Sequence, residues 1–227
     1  MEEKEDTVST VVARFYDSTI GKKAVMAVTG LVMFGYLIIH MLGNLQVYLG
    51  SETMDHYAAA LHANAPLLWT ARSILLVSVV LHIWASVQLS AIKRAARPIG
   101  YVKSGNVQAG FASRTMMLSG PIIAAFVIYH LLHLTTGTLH PQFVELRAYE
   151  NVVSGFRQPL AAVAYIVAMI FVGMHLSHGI WSTFQSIGFN HPRYSPLIRR
   201  FAPVISWILI AGFVSVPIAV LIGVLGN

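Results

Sequence analysis

Six of the ten histidines in this 227-residue chain, His40, His82, His130, His133, His175 and His178, lie inside long apolar runs. In FGYLIIHMLGNLQVY, residues 34–48, one imidazole sits in a run that begins just after Lys22 and Lys23. A polar ring in hydrocarbon costs several kcal/mol unless it finds a partner. For a single ring, a hydrogen bond to a neighbouring helix is as good an explanation as ligation. Histidines on four separate runs ask for more, and binding of a metal by imidazole nitrogen is the chemistry that would gather them.

The elements that must position these rings are membrane spans. The chain is 56% hydrophobic and 11% charged, with a mean hydropathy of +0.67, a balance unlike that of a soluble domain. Five runs reach the roughly 20 residues that cross about 30 Å of hydrocarbon: 24–49, 73–92, 116–139, 160–187 and 203–225. The expectation is an all-α membrane protein of five transmembrane helices. Residues 24–227 would form one domain, preceded by a cytoplasmic segment, 1–23, too polar to read as a cleavable signal.

Lysine and arginine gather at Arg14, Lys22 and Lys23, at Lys93, Arg94, Arg97, Lys103 and Arg114, and at Arg193, Arg199 and Arg200. The positive-inside rule then predicts a multi-pass protein of the cell (inner) membrane, with its N-terminus cytoplasmic and its C-terminus outside. The same distribution accounts for the net charge of +6 without a nucleic-acid partner. The absence of cysteine excludes iron–sulfur clusters, disulfides and thioether-bound haem from this chain. No G-x-G-x-x-G, P-loop or nucleophile elbow is present, so neither dinucleotide binding nor hydrolysis has a seat here.

Depth sorts the histidines. His40 lies 17 residues beyond Lys23 and His130 lies 16 beyond Arg114, both roughly 25 Å from the cytoplasmic edge at about 1.5 Å per residue. His82 lies 11 residues before Lys93 and His175 lies 12 before Ile187, both roughly 17 Å from that edge. Two levels with two imidazoles each resemble two stacked bis-histidine centres. Zinc sites usually take three or four protein ligands. A pair suits an iron whose equatorial positions a porphyrin already fills, and without cysteine that means haem b. The first four spans would then bundle around two stacked haems b. His133 and His178, one turn beyond His130 and His175, are spare candidates for ligation or for bonds to a propionate or a ligand ring.

Glycines at Gly30, Gly35, Gly43, Gly120, Gly137, Gly173 and Gly179 could admit a flat macrocycle, though glycine is common in membrane helices. Propionates would need cations or hydrogen bonds at the surfaces. At the inner face the candidates are Lys22, Lys93, Arg94, Arg114, Trp181 and Ser182; at the outer face they are Tyr48, His62, Arg72 and His140. A weak internal repeat accompanies them: VIYHLLHL around His130 echoes LIIHMLGNL around His40, and GMHLSHGIW around His175 echoes VLHIWASV around His82. The offsets are 90 and 93 residues, which makes the repeat parallel, with the fifth span outside it.

DSTIGKKAVMAVTGLV followed by HMLGNLQVY, the lone His82, and HLSHGIWSTFQSIGFN resemble the di-haem cytochrome b558 subunit of succinate dehydrogenase and fumarate reductase, from about Ser18 to the fifth span. The resemblance implies a membrane anchor of complex II, a tricarboxylic acid cycle enzyme, working with a flavoprotein and an iron–sulfur subunit. Electrons would pass through two haems b to a quinone, typically menaquinone, with no succinate-oxidising site in this chain. By motif, His40 and His130 match the distal haem's ligands and His82 and His175 the proximal haem's. Quinone candidates are Tyr16, Ser18 and Lys22 at the inner face and Asn44, Gln46, Glu52 and Asp55 at the outer one. Some fumarate reductases of the family carry a proton-transferring glutamate where this chain has Gly173. The alternatives are a cytochrome b of a formate dehydrogenase or hydrogenase, a di-iron hydroxylase with its ligands at one face, and a haem-free transporter or anchor.

Overall fold

The computed structural model describes residues 8–96 and 111–226; Arg97 and Lys103 lie outside them. Among the described residues all regular structure is helical: α1 (Val8–Asp17), α2 (Thr19–Leu45), a 3-10 turn (Gln46–Leu49), α3 (Ser51–Ala63), α4 (Ala65–Ala95), α5 (Phe111–His130), α6 (Ala148–Phe156), α7 (Pro159–Ser186) and α8 (Ser195–Leu221). After His130, α5 continues as a π-helical turn, Leu131–Thr135. Five helices, α2, α4, α5, α7 and α8, are long and apolar enough to cross a membrane, so the chain is a multi-pass membrane protein.

The helices outrun the apolar stretches because polar residues cap them. Ser18 Oγ accepts the Gly21 N–H at 2.9 Å and starts α2. Asn64 Oδ1 accepts the Leu67 N–H at 3.2 Å, with Pro66 in the first turn, and starts α4 well ahead of Ser73. Two spans fall short at their ends. The fifth, expected to reach Leu225, stops at Leu221. The third, expected to reach Leu139, stops at Thr135, where Gly137 takes a φ of +71° that ends the helix and turns the chain outward. Three shorter helices join the five: α1 within the N-terminal segment, and α3 and α6 in the loops on the side of His40 and His130. The last two pack on each other.

Packing gives the bundle a definite order. α2 lies against α4, α7 and α8, and α7 lies against α5, α8 and α2, so the histidine-bearing helices form an arc, α4–α2–α7–α5, with α8 behind. The densest contact is between α7 and α8, and 39% of the hydrophobic window of each is buried, against 11% for α2 and α4 and 6% for α5. The α7–α8 pair is therefore the packed spine. At Gly173 a Cβ would stand 3.0 Å from the side chains of Trp207 and Ile210 of α8, so a larger residue there would require those side chains to shift.

Candidate functional site

Four of the six histidines in the spans meet across the arc, all four half-buried. The His40 ring on α2 lies 5.7 Å from that of His130 on α5, centroid to centroid, with the planes at 83°. The His82 ring on α4 lies 6.3 Å from that of His175 on α7, at 57°. Within each pair the two helices barely touch one another, so each pair closes a diagonal of the bundle. Two imidazoles bound trans to one metal, with bonds of about 2 Å, place their centroids about 6 to 6.5 Å apart. The inner pair stands at that separation and the outer pair a few tenths short of it.

Tautomers test whether ligation fits. His82 Nδ1 is 3.1 Å from the Met26 carbonyl, which can only accept, and 3.2 Å from Thr29 Oγ1, whose own proton goes to the Val25 carbonyl at 2.7 Å. The His82 proton is therefore on Nδ1, and Nε2 keeps a free lone pair. On the facing helix, His175 Nδ1 lies 3.2 Å from Ser119 Oγ, which donates to the Met116 carbonyl at 3.2 Å. His130 Nδ1 lies 3.3 Å from the Tyr165 hydroxyl. An oxygen on Nδ1 that fixes the ring and frees Nε2 is the usual surrounding of a metal-binding histidine. His40 is held differently, stacked on Tyr36 at 5.3 Å with Phe213 at 5.8 Å.

No protein-family model, curated protein or solved structure matches this chain.

The internal repeat reappears in these contacts. Shifting by 90 residues takes Thr29–Gly30 to Ser119–Gly120, Tyr36 to Phe126 and His40 to His130. Thr29 holds His82 as Ser119 holds His175, and Tyr36 stacks on His40 as Phe126 lies 6.0 Å from His130. None of Thr29, Ser119, Tyr36 or Tyr165 stood out in the sequence, because each partner is on another span or is a ring among many; extending the 90-residue alignment beyond the histidines would have found the first three.

The spare histidines separate from the pairs. His133 is 2% exposed and stacks on His140 at 4.9 Å and on Tyr129 at 5.3 Å, away from His40. His178 has no ring contact with His82 among the described residues, where His175 has one. Among the described residues no group of three or more His, Cys, Asp or Glu side chains gathers as a metal site. Among the glycines, nothing lies within 4 Å of a Cβ built at Gly35, Gly120 or Gly179, and Gly179 is one turn from His175. Gly30 faces the His82 ring at 3.5 Å. Gly43 and Gly173 instead serve protein packing, against Tyr57 at 3.0 Å and against α8, and Gly137 makes a turn over Phe143.

The surface candidates fall into two groups. On the side expected to be inner, Lys22 is 6% exposed, and its Nζ donates at 2.8 Å to the carbonyls of both Tyr16 and Asp17, tying the end of α1 to α2. Tyr16 donates to Gln88 Oε1 at 2.8 Å, and Ser18 is the cap already described. Lys93, Arg94 and Arg114 are exposed near the inner ends of α4 and α5. Trp181, followed by Ser182, lies under the Arg199 guanidinium at 5.4 Å, in a groove of about 610 Å³ that Gln185, Asn190 and Arg200 also line.

On the side expected to be outer, Tyr48 is exposed, Gln46 caps α2 and Glu52 sits in the first turn of α3. His62 Nδ1 bonds the Ala58 carbonyl at 2.8 Å, Arg72 lies over Trp69 at 5.1 Å, and the Asn44 amide donates to the His40 carbonyl at 2.7 Å. Asp55 accepts the Tyr149 N–H at 2.9 Å and faces Arg147 at 3.8 Å, which links α3 to α6. His140 is buried among loop groups rather than offered to the surface.

Proposed function

We propose that this chain is the di-haem cytochrome b membrane anchor of a succinate:quinone oxidoreductase, working with a flavoprotein and an iron–sulfur subunit and with menaquinone as the membrane quinone. The observation that carries the di-haem reading is the pair of imidazole couples on the two diagonals, with the His82 proton fixed on Nδ1. The choice of succinate rests on the resemblance of DSTIGKKAVMAVTGLV, HMLGNLQVY and HLSHGIWSTFQSIGFN to that family. When bound, the haems would supply a one-electron path between the partner's iron–sulfur clusters and the quinone.

What the chain itself does is hold and tune. His40 with His130, and His82 with His175, would hold the irons through Nε2; Met26 and Thr29 at His82, Ser119 at His175 and Tyr165 at His130 stand at Nδ1 and would keep its proton in place. In a membrane, the apolar residues of α2, α4, α5 and α7 would keep water from both levels. No acidic side chain lies within the spans, so proton exchange with a quinone falls to the polar residues at the two faces.

The test is affinity purification of the tagged chain from its own membranes. A flavoprotein and an iron–sulfur protein should copurify, with two b haems per chain that succinate reduces. Reduction by formate or hydrogen instead would make it the cytochrome b of another oxidoreductase. Absence of haem would leave a transporter or plain anchor.

A finer expectation separates the two ligands of the inner level. Ser119→Ala removes the oxygen that faces His175 Nδ1, so the inner haem's midpoint potential should rise, since a less basic imidazole favours ferric iron less. Thr29→Ala should move it less, because the Met26 carbonyl still accepts from His82. Redox titration of the two variants checks the order.

A further inference from the structure

The Tyr165 hydroxyl lies between two histidines, 3.3 Å from His130 Nδ1 and 3.1 Å from His133 Nδ1. It has one proton and can donate to only one of them. The surroundings hold the second ring firmly. His140 Nδ1 accepts the Gln142 N–H at 3.1 Å, so its proton is on Nε2, which donates to the Asn151 carbonyl at 2.9 Å. With His140 so anchored, His133 is clasped between it and Tyr129, the planes at 23° and 10°. The His133 ring is thus kept with Nδ1 facing the phenol.

Given the reading of His130 as an outer-level ligand, on which this inference rests, His130 binds through Nε2 and carries its proton on Nδ1. The phenol oxygen then accepts that proton's hydrogen bond, and the phenol proton points to His133 Nδ1. We propose that Tyr165, backed by the Tyr129–His133–His140 stack, is the positioning residue of the outer centre. It fixes the tautomer and rotation of His130 and raises the electron donation of that ring to the metal. Its hydrogen bond to His133 polarises the phenol oxygen and strengthens the effect.

The device is one-sided. Shifting Tyr165 back by 93 residues reaches Arg72, whose guanidinium lies over Trp69, and the His40 ring is held by stacking. The outer level therefore has one ligand gripped through Nδ1, whereas both inner ligands are gripped.

The experiment is redox titration, with haem quantitation, of the purified complex carrying Tyr165→Phe. The ring contacts with Phe126 at 5.0 Å and Phe156 at 4.9 Å are kept and one oxygen is lost. Two haems should remain, and the outer one, identified as the haem missing from His40→Ala, should favour the ferrous state threefold to tenfold more, tenfold being a rise of about 59 mV for a one-electron couple. The inner haem should not move. A second variant, His133→Phe, keeps the stack and removes the phenol's acceptor; its shift should have the same sign and be smaller. Two haems with an unshifted outer midpoint in Tyr165→Phe overturn the inference and leave the di-haem reading intact. Should Tyr165→Phe shed the outer haem, an unshifted outer midpoint in His133→Phe overturns it. A wild-type protein without haem sinks the underlying reading instead.

Discussion

Replacing His82 with alanine should take the chain from two haems to one, and replacing His40 should do the same at the other level, each leaving the facing level spectrally intact. The effect is large because no cysteine is available for a thioether link, so each haem would be held by two imidazole bonds and by burial. Alanine removes one of those bonds and leaves a cavity where the ring stood. The diagonal arrangement makes the losses independent: His82 faces His175 and His40 faces His130, and the two couples share no ring. The double variant should hold none. His178→Ala should keep both, since the ring opposite His82 is that of His175. Pyridine haemochrome assay per mole of chain reads the outcome, and unchanged haem content in both single variants would remove the assignment.

A second large effect is expected at a residue with no contact to the four paired histidines. Asn151 on α6 is 5% exposed; its Oδ1 accepts the Val144 N–H at 2.8 Å and its Nδ2 donates to the Val144 carbonyl at 2.7 Å, while its own carbonyl receives His140. One side chain thus closes the loop that follows α5 and holds the anchor of the histidine stack. Asn151→Leu removes two hydrogen bonds and forces an apolar side chain against backbone polar groups, a cost of about 2 to 4 kcal/mol. Thermal unfolding in detergent should show a lower midpoint, with the outer haem lost before the inner one. Equal loss of both, or no change in melting, would mean that this loop does not support the outer level.

How much of this was legible follows from the range of each signal. The five spans could be read because hydropathy over about 20 residues is a local property. The couples could be read because helix rise converts residue number into depth, and His40 does meet His130, as His82 meets His175. Sequence arithmetic left His178 open against His175; the rotation of α7 against α4 separates them, and a single sequence carries no trace of that rotation. The hydroxyls on Nδ1 were hidden for a similar reason: Thr29 and His82 are 53 residues apart, Ser119 and His175 are 56 apart, and nothing local links them. Lys22 looked like a free cation and is a buried clasp between α1 and α2, because its carbonyl partners belong to a helix that composition alone did not announce. Short α3 and α6 escaped notice because they pack on each other, which apolar length does not announce.

Thr29 and His40 are 11 residues apart on α2, as are Ser119 and His130 on α5. Eleven residues make about three helical turns, so both members of each set lie on one face. Each of these two rods therefore reaches one storey with its imidazole and the other with its hydroxyl. A slip or twist of either rod would disturb both storeys together, so neither can be retuned mechanically without the other. The vertical interval between them is a matter of helix pitch and owes nothing to the loops, which can vary while the ladder keeps its rungs.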